Sequence, residues 1–115
     1  MSYFAHSGTP GDKSDWQELP VHLRETASLA AKFATSFGLE RLAFLTGLFH
    51  DLGKYDPRFQ ERLTGKNIRV DHSTAGAYIL RGLAKEQSRI HGVMAELAAC
   101  AGADRNIRRT RCAPQ

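Results

Sequence analysis

The chain has 115 residues and a formal net charge of +4, a length that accommodates one domain or part of one. Hydrophobic residues make up 42% of the chain and charged residues 24%, which are ordinary values for a soluble globular protein. No apolar run approaches the roughly 20 residues that a membrane-spanning helix requires, and residues 1–6 lack the pattern of a signal peptide. The composition excludes a membrane-spanning helical protein and predicts a cytoplasmic one.

The positive charge is concentrated near the end of the chain, where four arginines lie between residues 105 and 111. A basic terminal segment is more often a solvated end than a nucleic-acid site, and we favour that interpretation. Cys100 and Cys112 form no CxxC pair and have no histidine pair at zinc-finger spacing. We therefore expect free thiols in a reducing compartment.

The first half of the chain shows helical periodicity after an irregular start. Residues 1–14 contain two glycines and a proline and are predicted to be irregular. A helix is predicted from Pro20 to Phe37, ended by Gly38, which adopts positive φ without a steric penalty. His22 lies on the predicted apolar stripe of this helix, which consists of Thr26, Leu29, Ala30, Phe33 and Phe37.

Four further helices are predicted. The second runs from about Glu40 to Leu52, with Leu42, Leu45 and Phe49 on the same face as Leu52. The third begins at Asp56 and Pro57, a cap and a first-turn residue, and stops at Gly65. The fourth starts between Asp71 and Thr74 and continues through Leu83, and the fifth covers roughly residues 87–100.

The predicted architecture is an all-α bundle of about five helices with short connections. No stretch alternates apolar and polar residues over the length of a strand. The helical pattern ends near residue 101. We therefore predict one domain over residues 1–101 and an irregular basic tail over residues 102–115.

The adjacent residues His50 and Asp51 are the most informative feature of the chain. Neighbours in sequence cannot share one face of an ideal helix, but they can meet at one metal where a helix ends and the backbone turns. We expect Gly53 to supply that turn. Lys54 is predicted to be a mobile cation beside it, able to neutralise charge that grows on phosphate oxygens.

His22 and His72 are predicted to join the doublet, so that a metal is held by His22, His50, Asp51 and His72. Imidazole and carboxylate ligands suit Mn, Fe, Co, Ni or Zn. Such a metal lowers the pKa of a coordinated water and polarises a phosphoryl oxygen, and a carboxylate such as Asp51 can bridge two ions about 3.5–4 Å apart.

Each of these histidines also has a structural interpretation, because a single histidine on an apolar helix face is usually a core or boundary residue. A lone His-Asp pair is common by chance. Three histidines on separate helices are harder to explain in this way. His6 and His91 are interpreted as structural residues.

Five segments together carry a resemblance to a known family: residues 3–7, 19–23, 47–55, 59–60 and 71–77. Their order and spacing resemble the HD superfamily of metal-dependent phosphohydrolases over roughly residues 3–80. More narrowly, the chain is similar to the HD nuclease domain of the CRISPR-associated helicase–nuclease of type I interference systems. The segments HDLGKY and DHSTAGA are far more specific than a bare His-Asp pair.

The resemblance implies an α-helical, antiviral nuclease that hydrolyses single-stranded DNA with a divalent metal, Mn, Fe, Co or Ni, with Zn and Mg also open. It implies that Asp51 and Lys54 are catalytic and that Lys54 and Ser73 contact the substrate phosphate. His22, His50, Asp51 and His72 would be the metal ligands. The resemblance also implies a helicase domain or chain and a CRISPR surveillance complex as partners. This chain has no GxxxxGK[ST] loop, so ATP-driven unwinding would come from another chain or segment.

The chain resembles the family pattern up to about residue 101 and then departs from it. Members usually carry a paired histidine and a later metal-binding aspartate, whereas residues 99–104 read ACAGAD and nothing supports Asp104 as a substitute. We therefore expect a truncated domain with weak metal binding and low nuclease activity.

Truncation would also expose apolar surface and favour self-association. The residues concerned are Leu83, Ile90, Val93 and Leu97. Two alternatives to the nuclease stay open, a phosphohydrolase of nucleotides or signalling nucleotides and a non-catalytic helical remnant.

Overall fold

The protein is described by a computed structural model over residues 1–9 and 12–84. Its elements in chain order are β1 (Phe4–His6), β2 (Gln17–Glu18), α1 (Leu19–Ala34), α2 (Glu40–Phe49), α3 (Pro57–Leu63) and α4 (Thr74–Ala84). Two 3₁₀ helices, Thr35–Phe37 and Leu52–Tyr55, follow α1 and α2. The predicted all-α class is confirmed, and no helix within these residues is long and apolar enough to cross a membrane.

Several predictions concern residues outside the described part of the chain. These are the fifth helix over residues 87–100, the tail over residues 102–115, and the roles of His91, Cys100, Asp104 and Cys112. They stay predictions.

The first 18 residues contain a β-hairpin, so the prediction of a wholly irregular N-terminal segment is wrong. Strands of three and two residues are too short to show the alternation by which a strand is recognised in sequence. β1 and β2 are antiparallel with an irregularity in register, and the partners are Phe4 with Glu18 and His6 with Gln17.

The start and end of α1 agree with the predicted helix. Pro20 lies in its first turn, and the 3₁₀ extension ends at Gly38, which has φ 68°. The predicted apolar stripe is wrong in part, because three of its members are exposed in the described structure: Leu29, Phe33 and Phe37.

The buried row of α1 instead consists of Leu19, Leu23 and Ala27, spaced by four residues. Leu29 lies about 200° around the helix axis from Ala27. The buried face follows the contact with α2, where a Cβ atom on Gly47 would lie 2.8 Å from the Cα atom of Ala27. Two small residues thus set the packing of these helices, which a search for large apolar side chains misses.

The helix α2 ends at Phe49, three residues before the predicted end at Leu52. The backbone leaves the helical path at Asp51, which has φ −119° and ψ 22°. The chain then continues as the 3₁₀ helix Leu52–Tyr55. Leu45, predicted on the same face as Phe49 and Leu52, is among the exposed residues.

The predicted starts of α3 and α4 are borne out by their capping bonds. The carboxylate of Asp56 accepts the amide of Arg58 at 2.8 Å, and that of Asp71 accepts the amides of Ser73 and Thr74 at 3.3 Å. These bonds satisfy amides that have no partner inside the helix.

Two apolar clusters hold the His50–Asp51 doublet from both sides. The first joins Ala5, Leu19 and Leu23 with Tyr3, Leu48, Leu52 and Tyr55. The second packs Leu80 of α4 against Leu42 and Phe49 of α2. Because Phe49 belongs to one cluster and Leu52 to the other, the two residues between them are fixed in place. Leu83 of α4 is 61% exposed within the described residues, and self-association stays a prediction.

Candidate metal centre

Three predicted ligands converge where α2 ends beside the first half of α1. The Nε2 atoms of His22 and His50 lie 3.2 and 3.1 Å from the Oδ2 atom of Asp51. These residues offer ligand atoms that all lie within 4.8 Å of one another. Asp51 is buried and both histidines are partly buried. A helix from one part of the chain and a helix end from another therefore form one polar cluster.

The second nitrogen of each imidazole is engaged by an acceptor. His50 Nδ1 lies 2.6 Å from the carbonyl oxygen of Gly47, and His22 Nδ1 lies 3.1 Å from Oε1 of Gln17. An acceptor at Nδ1 favours a ring hydrogen there, and in that tautomer of the neutral imidazole Nε2 has a lone pair. Both lone pairs then face Oδ2 of Asp51, which is anionic. This contact is repulsive unless a proton or a metal cation lies between the nitrogen atoms and the oxygen.

The donor set and spacing fit a divalent metal. Ligand bonds of about 2.0–2.2 Å, at the angles of tetrahedral or octahedral coordination, place neighbouring ligand atoms roughly 3.0–3.5 Å apart. The Nε2–Oδ2 distances of 3.1 and 3.2 Å lie in this range. Metal-bound histidines also commonly donate their other N–H to a carbonyl or carboxylate oxygen. His22, His50 and Asp51 can therefore hold a metal through two imidazoles and one carboxylate.

Two opposing effects, burial and hydrogen bonding to neighbouring residues, determine the charge state of Asp51. Burial alone would raise the pKa of this carboxyl group, but hydrogen bonds from His50 and Lys54 outweigh it and hold the pKa well below its usual range. The hydrogen bond with Asp51 raises the pKa of His50. Burial, followed by the charge of Lys54, lowers the pKa of His22. Asp51 is thus ionised and His22 neutral near pH 7.

Lys54 is buried and anchored, so the prediction of a mobile cation is wrong. Its side chain is 6% exposed, and its Nζ atom lies 2.8 Å from Oδ2 of Asp51. The same ammonium group donates to the carbonyl oxygen of Ala5 at 3.1 Å and lies 5.4 Å from the ring centroid of Phe59. The 3₁₀ helix Leu52–Tyr55 accounts for the burial of Lys54. Residues three apart lie close together in such a helix, so the Lys54 side chain meets that of Asp51. The predicted phosphate contact of Lys54 stays a prediction.

His72 lies beside Asp51 but does not belong to the three-residue cluster. Its Nε2 atom is 3.9 Å from Oδ1 of Asp51, the carboxylate oxygen that does not face His22 and His50. Its ring packs on Phe59 with 4.9 Å between centroids. Its Nδ1 atom is buried without a hydrogen-bond partner among the described residues. The structure thus places His72 near Asp51, at the carboxylate oxygen that the other two histidines do not face.

Gly53 is required for close packing and not for the turn that was predicted. Only Gly38 and Gly65 have positive φ in the described chain. The amide of Gly53 donates to the carbonyl oxygen of His72 at 3.1 Å, and a Cβ atom on Gly53 would lie 2.3 Å from that oxygen. Gly53 therefore lets the segment that carries His72 approach the doublet.

Ser73, a predicted substrate contact, is buried beside His72. It is 5% exposed, and its amide donates to the carboxylate of Asp71. Nothing among the described contacts assigns its hydroxyl to a substrate, and its role stays a prediction.

Two residues of the hairpin border the site and were not selected from the sequence as site residues. Gln17 contacts Nδ1 of His22. The ring of His6 stands edge-on to that of His22, with 5.0 Å between centroids and an interplanar angle of 88°. Burial, followed by the charge of Lys54, lowers the pKa of His6. His6 lies in residues 3–7, one of the segments that resemble the HD superfamily. No pattern in the sequence pointed to Gln17.

Comparison with known proteins assigns the chain to a family. A family model for the HD domain matches residues 21–111, which include His22, the His50–Asp51 doublet and His72. Neither the curated proteins nor the solved structures gave a match. The match covers most of the chain, and the histidine and aspartate of the doublet lie in a cluster suited to a metal. The chain belongs to the HD domain family, whose members are typically metal-dependent phosphohydrolases.

Proposed function

We propose that this protein is a metal-dependent nuclease domain that hydrolyses phosphodiester bonds of single-stranded DNA in CRISPR interference. The observation that carries the metal chemistry is the convergence of His22 Nε2 and His50 Nε2 on Oδ2 of Asp51. Family membership supports phosphoester hydrolysis in general. The narrower nuclease function is supported by the resemblance of the segments HDLGKY and DHSTAGA.

A divalent metal held by His22, His50 and Asp51 would supply a hydroxide nucleophile near neutral pH and polarise a phosphoryl oxygen. The chain's own groups prepare this site. The Gly47 carbonyl holds the ring of His50, and Lys54 keeps Asp51 ionised and brings a positive charge beside the centre. A fixed positive charge close to the reacting phosphate stabilises charge that develops on its oxygens.

Asp51 faces imidazoles with both of its carboxylate oxygens, Oδ2 toward His22 and His50 and Oδ1 toward His72. This division supports the proposal that Asp51 bridges two metal sites and that His72 belongs to the second. Mn, Fe, Co and Ni are the proposed metals, with Zn and Mg also open, because mixed nitrogen and oxygen ligands suit divalent ions of this kind. A helicase chain and a CRISPR surveillance complex are the proposed partners.

The substrate is tested by incubating the purified chain with Mn²⁺ or Ni²⁺ and either labelled single-stranded DNA, deoxynucleoside triphosphates or cyclic nucleotides. We expect slow cleavage of the DNA, abolished by chelation and by Asp51→Asn. Glu61→Gln is the matched control, because it removes one carboxylate from the exposed surface of α3. Hydrolysis of nucleotides without cleavage of DNA would contradict the nuclease proposal and favour a nucleotide phosphohydrolase. Absence of both metal binding and hydrolysis would favour a non-catalytic remnant.

A further inference from the structure

We propose that Gln17 is a positioning residue for His22. The N-terminal hairpin then contributes to the metal site by orienting one of its ligands. The inference rests on the proposed role of His22 as a ligand. The hairpin, β1 and β2, ends at Glu18, before the segment matched by the HD domain model begins at residue 21. The family match therefore does not include Gln17.

The orientation of the Gln17 amide follows from its two partners. Its Nε2 atom lies 3.3 Å from Oε2 of Glu25, and its Oε1 atom lies 3.1 Å from Nδ1 of His22. A carboxylate only accepts hydrogen bonds, so the NH₂ group of Gln17 must face Glu25. The carbonyl oxygen of the amide then faces His22 and accepts a hydrogen bond when the ring hydrogen is on Nδ1.

This contact selects the form of His22 that can bind a metal. A neutral imidazole carries one hydrogen, and an acceptor at Nδ1 favours that position for it. The lone pair of Nε2 is then directed at Asp51, 3.2 Å away. His50 receives the same orientation from the carbonyl of Gly47 in its own helix. His22 receives it from a side chain outside its helix, so its tautomer depends on the hairpin.

The hairpin is anchored firmly enough for this role. The side-chain amide of Gln60 in α3 accepts the N–H of Phe4 and donates to the carbonyl of Phe4, each at 3.0 Å. Ala5, the next residue, is buried, and its carbonyl accepts a hydrogen bond from Lys54. β1 therefore contacts the site directly, and its pairing with β2 places Gln17 beside His22.

The test compares three variants of the full chain. Gln17→Leu removes the acceptor at Nδ1. The double variant Gln17→Glu with Glu25→Gln exchanges the two side chains. The new carboxylate at position 17 then accepts a hydrogen bond from His22, and the new amide at position 25 donates to that carboxylate. Glu18→Gln changes an exposed neighbour in the same strand and is the matched control.

The first measurement is long-range ¹⁵N–¹H NMR of the histidine rings in the metal-free protein, at a pH where both rings are neutral. Asp51 competes with Gln17 for the single hydrogen of neutral His22. The wild-type protein should therefore keep a measurable share of that hydrogen on Nδ1, and Gln17→Leu should shift it toward Nε2. The second measurement is calorimetric titration with Mn²⁺. We expect Gln17→Leu to weaken binding about 10–100-fold, the double variant to restore most of it, and Glu18→Gln to leave it unchanged.

An unchanged His22 tautomer in Gln17→Leu, or Mn²⁺ affinity equal to that of the wild type, would overturn the proposal. If Gln17→Leu does not fold, the double variant decides. Weak Mn²⁺ binding by a folded double variant would then overturn the proposal. These outcomes are independent of nuclease activity, because the NMR measurement requires neither metal nor substrate. Failure of DNA cleavage alone would affect only the proposed function.

Discussion

Lys54 and Asp51 form a buried ion pair at the candidate metal centre, with 2.8 Å between Nζ and Oδ2. The carboxylate oxygen that faces both candidate imidazole ligands is therefore also the partner of a fixed ammonium group. In the metal-free protein this ammonium compensates the charge of Asp51. A divalent ion bound at the same oxygen would take over part of that role.

The first prediction concerns Lys54→Met, which keeps much of the side-chain volume and removes its charge. Asp51 would then be a buried carboxylate without its closest cation. Loss of one partner of a buried pair costs about 3–5 kcal/mol. We expect the free energy of unfolding, measured by urea denaturation in chelator, to fall by about this amount.

Mn²⁺ should reduce the loss caused by Lys54→Met. An ion that binds only the folded state stabilises it, and the variant should gain more because no ammonium group competes with the ion at Oδ2 of Asp51. An equal loss with and without Mn²⁺ would contradict this account. Lys66→Met is the control, because Lys66 pairs with Glu61 at 3.1 Å and both side chains are at least half exposed. A surface pair of this kind contributes about 0–1 kcal/mol.

The second prediction concerns the pH dependence of metal binding. The raised pKa of His50 means that its proton stabilises the metal-free fold below the ordinary histidine pKa, and that this stabilisation is lost as the pH rises through the raised value. A metal must displace this proton. His22, with its lowered pKa, is already neutral.

Metal affinity should therefore increase with pH, by up to about tenfold per unit below the pKa of His50. Calorimetry in buffers of different ionisation enthalpy should detect the release of about one proton per ion in that range. Affinity that is constant from about pH 6 to about pH 8 would show that His50 does not bind the metal.

The third prediction is that Gly53→Ala disrupts the approach of the His72 segment. The added methyl group would lie 2.3 Å from the carbonyl oxygen of His72, so the backbone must move. Overpacking of this kind costs about 1–3 kcal/mol, measured by urea denaturation. Gly82→Ala is the control, because no described atom lies within 4 Å of a Cβ atom there and alanine favours a helix. Equal stability of the two variants would contradict the packing role of Gly53.

The helix starts could be predicted from sequence because local chemistry decides them. Asp56 and Asp71 cap α3 and α4 through side chains that reach amides only two or three residues away. The buried face of α1 could not be predicted, since it depends on the contact of Ala27 with Gly47 in another helix. The hairpin was missed because its strands contain too few residues to form a pattern.

In the candidate site, too, features set by neighbouring residues could be predicted, and features set by contacts between distant elements could not. His50 and Asp51 were recognisable because their chemistry and their flanking residues are adjacent in sequence, and the structure brings His22 to them. The burial of Lys54 depends on Ala5 and Phe59, which lie in different elements. The contact of Gln17 with His22 depends on strand pairing. Such relations are set by tertiary structure and leave no local pattern.

The most direct test of the metal centre is pulsed electron paramagnetic resonance of the protein with Mn²⁺. We predict ¹⁴N couplings from two imidazoles in the wild-type protein and loss of one coupling in each of His22→Gln and His50→Gln. Asp51→Asn should weaken Mn²⁺ binding by more than the ~10–100-fold that loss of an orienting partner causes. A spectrum of hydrated Mn²⁺ alone, or two imidazole couplings retained in either histidine variant, would contradict the assignment of His22, His50 and Asp51 as the metal site.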